Sequence, residues 1–443
     1  MDITIGLISL GCPKNLVDSE NMLGILEKDG FIITSQPEDA DVIIVNTCGF
    51  IETAKEEAIS EILQMAEYKK TGKCSKLIMS GCLAERYSEE LFAEMPEVDV
   101  ITGAHAWGEI NKVVKKALKG ERFIFKPEHP KKFKKIPRKL TSNSCTAYLK
   151  IAEGCSNVCS YCVIPHIRGP YVSREMPAII AEAKQLAKQG IKELILVAQD
   201  VTRYGDDLYG DLLLPELLKE LVKIKDIKWI RLLYAYPGYI TQDLLEVMAT
   251  EDKICKYIDI PLQHASDTVL SRMNRKDTKF EIMRLLDIMR EQVPGIAIRT
   301  TFIVGFPGET QEEYEELKAF MLREKFDRAG IFIYSQEEGT VAADMPQVDD
   351  AIKEERYHEL MALQAQISEE INQSLEGRQM EILVEGVQKD GKDIVVFGRS
   401  YREAPDIDGV VYLENAANAK VNTFVKAEIV QGFTYDVLAE MTK

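Results

Sequence analysis

Three of the nine cysteines stand within eight positions: Cys155, Cys159 and Cys162 in "EGCSNVCSYCVIP", spaced C-x3-C-x2-C. A loop this tight cannot pair three thiols as disulfides, so the chemistry that such a group offers is metal binding. Structural zinc takes four ligands, usually in separated pairs. His166 is the available fourth, but one short loop would then have to wrap all corners of a tetrahedron. An iron–sulfur cube takes cysteine thiolates separated by two or three residues. With only three thiolates one iron lacks a protein ligand, and an open coordination position is what catalysis at a metal requires.

Three more cysteines share a setting. Cys12, Cys48 and Cys82 follow "LISLG", "IIVNT" and "LIMSG", each the end of a strand-like run leading into a helix-like stretch. Parallel strands put their C-terminal ends on one edge of a sheet, so three such loops bring three thiols together. Burial is the competing explanation, since free cysteine is among the most buried residue types. One cysteine would fit it; three in equivalent settings, 36 and 34 residues apart, do not. Cys74, Cys145 and Cys255 lack that setting and receive no role.

The elements that must position these thiols form an α/β chain with four segments. Residues 1–120 alternate strand-like runs with amphipathic stretches, which implies a parallel sheet with helices on its faces. Residues 121–140, with "KPEHPKKFKKIPRK", have three prolines and no apolar period and read as a basic linker. Residues 141–374 carry six strand–helix units, among them "TAYLKIAEG", "ELILVAQD" and "IAIRTTFIVGFPG". Six units make a partial barrel, with functional residues at the C-terminal strand ends. Residues 375–443 are short β runs broken by Gly, Asp and Asn, the pattern of a small closed antiparallel barrel of oligonucleotide-binding type.

The chain's 443 residues exceed one ordinary core, and its net charge of −17 excludes broad electrostatic binding to nucleic acid. The stretch from Lys112 to Lys139 runs the other way, with twelve Lys or Arg against two Glu. The start has no basic flank, and no apolar run approaches the roughly 20 residues of a membrane helix. These features predict a cytoplasmic protein with reduced thiols.

The C-x3-C-x2-C loop, with Tyr161 as its aromatic, resembles the signature of the radical S-adenosylmethionine superfamily. The resemblance implies a 4Fe–4S cluster on Cys155, Cys159 and Cys162, whose open iron binds S-adenosylmethionine and cleaves it to a radical. An N-terminal α/β domain with three cysteines, a radical domain and a C-terminal β domain together resemble the methylthiotransferases over nearly the whole chain. That family implies a second 4Fe–4S cluster, on Cys12, Cys48 and Cys82, that carries sulfur to the substrate. "GCPKNLVDSE", "AQDVTRYGDDLYG" and "GRSYREAPDIDG" are similar to the RimO-type branch, which modifies an aspartate β-carbon in small-subunit ribosomal protein twelve. The sister branch, which modifies a tRNA adenosine, is the alternative, and a non-catalytic zinc or RNA-binding protein is a third reading. From 375 to 443 eight Lys or Arg face twelve Asp or Glu, and an acidic domain suits a basic ribosomal protein better than RNA. The ribosomal subunit itself and an electron donor such as flavodoxin or ferredoxin are the further partners implied.

Resemblance to related enzymes also puts Gly305, Gly308 and Glu309 of "FIVGFPGET" along the S-adenosylmethionine site, although a helix-start turn explains that motif nearly as well. Gln199, Asp200, Gln263 and His264 fall at other strand ends, where they line the site or merely satisfy backbone groups. Arg168 has the geometry to meet a carboxylate with two bonds, and His166 reads as a surface residue.

Overall fold

The computed structural model describes residues 3–129, 137–142, 144–390 and 393–442. Six parallel strands form the first sheet: β1 (Thr4–Ser9), β2 (Ile32–Thr34), β3 (Val42–Thr47), β4 (Lys76–Gly81), β5 (Val100–Thr102) and β6 (Phe123–Phe125), in the order β2-β1-β3-β4-β5-β6. The central strand β3, VIIVNT, is buried at every position. A strand covered by helices on both faces must be apolar throughout rather than alternating. Ile43, Val45, Leu77 and Met79 pack against one helical layer, and Ile5, Val42, Ile44 and Ile78 against the other. The expected edge at residue 120 falls short, because β6 completes the sheet at Phe125.

The second sheet also has six parallel strands, β7 (Thr146–Lys150), β10 (Glu193–Val197), β11 (Trp229–Leu232), β12 (Ile254–Asp259), β13 (Ala297–Val304) and β14 (Arg328–Ile333). They are paired in strict chain order. Sequential order with a helix after each strand is a barrel left open at one side. Between its first two strands a short ribbon, β8 (Ala152–Glu153) with β9 (Val172–Ser173), brackets the cysteine loop. The C-terminal unit is a closed five-stranded barrel of β15 (Gln379–Asp390), β16 (Asp393–Arg399), β17 (Val411–Glu414), β18 (Phe424–Gly432) and β19 (Val437–Met441). It departs from the expected all-antiparallel pattern in one pair, since β17 and β19 run parallel to close the ring.

The end of the basic stretch is not a solvated linker. Arg138 is buried and donates to Glu20 at 2.5 Å, to Glu182 at 3.0 Å and to the Tyr148 carbonyl at 2.7 Å. It thereby ties the first sheet's helix Pro13–Lys28 to the second sheet. Residues 130–136 of the predicted linker lie outside the described residues. Among the described residues no helix is long and apolar enough to cross a membrane.

Candidate metal centres

Strands β1, β3 and β4 are neighbours in the sheet, so the loops at their C-terminal ends start about 5 Å apart. Cys12 is the N-cap of helix Pro13–Lys28, Cys48 leaves β3, and Cys82 opens the short helix Cys82–Arg86. Two glycines permit the approach. Gly11 has φ +81°, and a Cβ there would lie 2.6 Å from the Cys48 Cβ. Gly81 has φ +97° and ψ −157°, with a Cβ position 2.4 Å from Asn46 Oδ1 and the Thr47 carbonyl. Asn15 sews the loops together: its amide nitrogen donates to the Leu10 carbonyl at 3.1 Å and the Thr47 carbonyl at 2.9 Å. Its carbonyl oxygen accepts from Arg168 and lies 3.7 Å from the Cys82 sulfur.

The second trio occupies the loop between β8 and the helix Ile164–Arg168. All nine cysteines are free, and Cys155, Cys159 and Cys162 are each half-buried. The loop folds back on itself through Cys162 N–H to the Cys159 carbonyl at 3.1 Å and Cys155 N–H to the Gly169 carbonyl at 3.0 Å. Asn157 N–H points at the Cys155 sulfur, 3.4 Å away. The two trios meet through this segment. Val163 and Ile167 pack with Cys82 and Ala104 in one small apolar cluster, and Arg168 donates to the Cys82 sulfur at 3.3 and 3.4 Å.

Arg168 also pairs with Asp18 at 2.6 Å and Glu153 at 3.3 Å, while Lys150 pairs with Glu153 at 2.7 Å and with Asp18. This buried ring of two cations and two carboxylates straddles the domains, with Asp18 from the first and the other three from the second. Burial would push Glu153 up, but Lys150 and Arg168 hold its carboxyl well below the ordinary range. Nothing in the sequence motifs pointed to Lys150, Glu153 or Asp18; a lysine on an otherwise apolar strand beside the cysteine loop was the available signal.

The thiols respond to burial. It pushes Cys82 and Cys162 up to about 12 and Cys155 up to about 11, and it raises Cys48. Protonated thiols at neutral pH ionise when a metal replaces the proton, and the Arg168 guanidinium against Cys82 favours the thiolate. Among the described residues no group of three His, Cys, Asp and Glu side chains is arranged to hold a single metal ion. Thiolates on one tetrahedral ion lie within about 4 Å of each other, given a metal–sulfur bond of about 2.3 Å; the corners of an iron–sulfur cube are farther apart. His166, the fourth ligand of the zinc alternative, is exposed. A donor set of thiols alone, faced by a backbone N–H and a guanidinium, fits an iron–sulfur cluster.

The other candidate residues divide. Tyr161 stacks edge-on against Phe306, with ring centroids 6.4 Å apart. Gln199 donates to Glu153 at 3.2 Å, while its buried carbonyl oxygen has no partner. Gln263, at φ +73°, bridges to β13 through backbone bonds of 2.8 Å on both sides. Asp200 accepts from Asn157 of the cysteine loop at 3.1 Å. Gly305 and Gly308 both have positive φ at the end of β13. Glu309 is taken up elsewhere: its carboxylate binds Arg356 at 2.6 Å and lies 3.5 Å from His264 Nε2. A cavity of about 630 Å³ opens beside Ser156 and Asn157 of the loop and is lined further by Arg203, Tyr236, Tyr239 and Asn274. Cys74, Cys145 and Cys255 are core residues away from both trios.

Comparison with known proteins agrees with this architecture. A model of the Radical SAM superfamily matches residues 149–321, one of the TRAM domain matches 377–442, and one of an uncharacterized protein family, UPF0004, matches 4–103. Among solved structures the fold is similar to that of the radical S-adenosylmethionine methyltransferase TsrM from Kitasatospora setae. The TM-score is 0.54 at 15% identity, over 75% of each chain. The ribosomal protein uS12 methylthiotransferase RimO of Desulforamulus reducens is 50% identical over 450 residues, spanning 99% of this chain and 100% of that one. The corresponding protein of Pelotomaculum thermopropionicum is 51% identical over 445 residues, with 99% of both chains covered. With its three units in this order and relatives matched from end to end, the chain belongs to the ribosomal protein uS12 methylthiotransferase (RimO) family.

Proposed function

We propose that this protein replaces a β-hydrogen of an aspartate in ribosomal protein uS12 with a methylthio group. The observation that carries the reading is the meeting of two three-thiol groups across one domain junction, with Arg168 touching Cys82 from the segment that follows Cys162. Cys155, Cys159 and Cys162 would hold one 4Fe–4S cluster, and Cys12, Cys48 and Cys82 a second. With S-adenosylmethionine these groups supply the radical that removes a hydrogen and the sulfur and methyl delivered in its place. The difficult chemistry belongs to the cofactors, and the chain holds, orients and shields them.

This chain's own residues do three things. Asn15 and the glycines before Cys12 and Cys82 hold the first trio in one place. The ring of Lys150, Asp18, Glu153 and Arg168 locks the two domains together at the site and closes that side to water. Tyr161, Gln199, Gln263, Gly305 and Gly308, at or near the C-terminal strand ends, would contact S-adenosylmethionine; Glu309 is engaged with Arg356. The substrate's basic character complements the acidic C-terminal barrel, and a flavodoxin or ferredoxin would supply electrons.

Anaerobic purification with iron and sulfide analysis tests the cofactors: about eight irons per chain are expected for two cubes. Mutating Cys12, Cys48 and Cys82 to Ala should leave about four, and Cys155→Ala should abolish cleavage of S-adenosylmethionine. For the substrate, uS12 from cells with and without the gene is compared by mass spectrometry. Unchanged uS12 together with loss of a thiomethyl group from tRNA would transfer the reading to the tRNA branch.

A further inference from the structure

We propose that Lys14 receives the carboxylate of the substrate aspartate and thereby selects aspartate over its amide. Lys14 lies two residues after Cys12, in the helix that this cysteine caps. The residue is buried, with 8% of its surface exposed. The ammonium reaches across the junction to the mouth of the second domain's barrel. There Nζ lies 3.4 Å from the centre of the Tyr234 ring and 3.5 Å from the carbonyl of Ala198, the residue after β10. Among the described residues no carboxylate pairs with it.

The charges around it show that the vacancy is specific. Beside Lys14 stand two further buried cations, Lys150 and Arg168, and two buried carboxylates, Asp18 and Glu153. Both carboxylates are taken by Lys150 and Arg168. Lys14 is the cation left over. Among the described residues the direct contacts of this buried ammonium are a ring face and one long bond to a carbonyl, with Cys12 and Glu153 attracting it from farther off; an anion from outside would complete it. The thiol trio has its own cation in Arg168, which touches Cys82. Lys14 also feels Cys12, but its ammonium lies on the barrel side, over Tyr234.

Tyr234 itself is held in place for this. It is a non-glycine residue at φ +65°, a conformation sustained only where surrounding contacts impose it. Its N–H donates to Asp259 at 3.0 Å, and its carbonyl accepts from Val201 at 3.0 Å. The ring thus forms a rigid floor under the ammonium. A carboxylate seated on Lys14 would sit between the sulfur-carrying loop and the barrel mouth, with its β-carbon one bond away.

The inference rests on the uS12 aspartate reading, and the test separates the two. Reconstituted enzyme is titrated, without reductant, with a fluorescent peptide carrying the uS12 target loop and with its aspartate-to-asparagine analogue. KM and kcat are then measured with the aspartate peptide. Wild-type enzyme should bind the aspartate peptide at least tenfold more tightly. Lys14→Met should bring the two affinities within about twofold and raise KM tenfold or more, while Lys14→Arg, which keeps the charge, should retain part of the preference. Iron content and thermal unfolding are followed for each variant. A Met variant that keeps the preference, or that loses iron from the first trio while the preference survives, overturns the role of Lys14 alone. Wild-type enzyme that neither binds nor modifies the aspartate peptide overturns the substrate reading and this inference with it.

Discussion

At the scale of single residues, small and polar side chains set the geometry of the first trio. Gly81 sits in a backbone region that is essentially closed to side chains, and a Cβ there would strike Asn46 and Thr47. Gly81→Ala should therefore destabilise the protein by about 1–3 kcal/mol. It should also lower bound iron towards that of one cluster while sparing the second trio, as measured by denaturant unfolding and metal analysis. Arg168→Met should do comparable damage by a different route. It removes the guanidinium from Cys82 and leaves Asp18 and Glu153 with Lys150 alone, so a loss of about 3–5 kcal/mol is expected. A denaturation midpoint within error of wild type would show that the ring contributes nothing to stability.

At the scale of elements, one of the bolts between the C-terminal barrel and the second sheet is a buried carboxylate. Glu193 of β10 accepts from Arg231 at 2.8 Å and from Arg399 of β16 at 2.6 Å, and Arg399 also pairs with Glu385. Burial would raise Glu193, yet Arg399 and Arg231 hold its carboxyl down at about 2. In the unfolded chain the same group titrates near 4.5. Its stabilisation is thus complete above about pH 4.5 and is lost as pH falls towards 2. Glu193→Ala takes the paired carboxylate from buried Arg231 and leaves Arg399 with Glu385, and should cost about 3–5 kcal/mol. Urea unfolding at pH 7 and at pH 3.5 would check both statements: the mutant should lose less stability than wild type between them.

At the scale of the molecule, charge separates substrate recognition from chemistry. Two of the eight basic residues in the 375–443 segment, Arg399 and Arg402, are buried in contacts with the second domain. Two acidic residues, Glu403 and Asp408, are buried with them, so the surface that the barrel offers a partner keeps the acidic excess of its composition. Attraction of a basic ribosomal protein by this surface is screened by salt. Raising ionic strength from about 0.05 to 0.5 M should raise KM for whole uS12 several-fold and change kcat little. A short neutral peptide from the target loop should show a much flatter dependence. Equal salt sensitivity of the two substrates would remove the barrel from recognition.

Periodicity and spacing were enough to read the six-unit barrel, the helix-covered sheet and the closed β unit, because each depends on local repeats of buried and exposed side chains. The grouping of Cys155, Cys159 and Cys162 is equally local, since all three lie within one loop. Three-residue strands such as β2, β5 and β6 carry too little pattern to be seen, and Arg138 reads as one more charge in a basic run until Glu20 and Glu182 close on it. Equivalent settings suggested that Cys12, Cys48 and Cys82 converge; only the folded chain brings Arg168 onto Cys82 and, among the described residues, sets Lys14 over Tyr234 with no carboxylate paired to it. Those facts depend on which groups from distant segments share a dry junction, and burial, unlike periodicity, is a property that no single stretch of chain possesses.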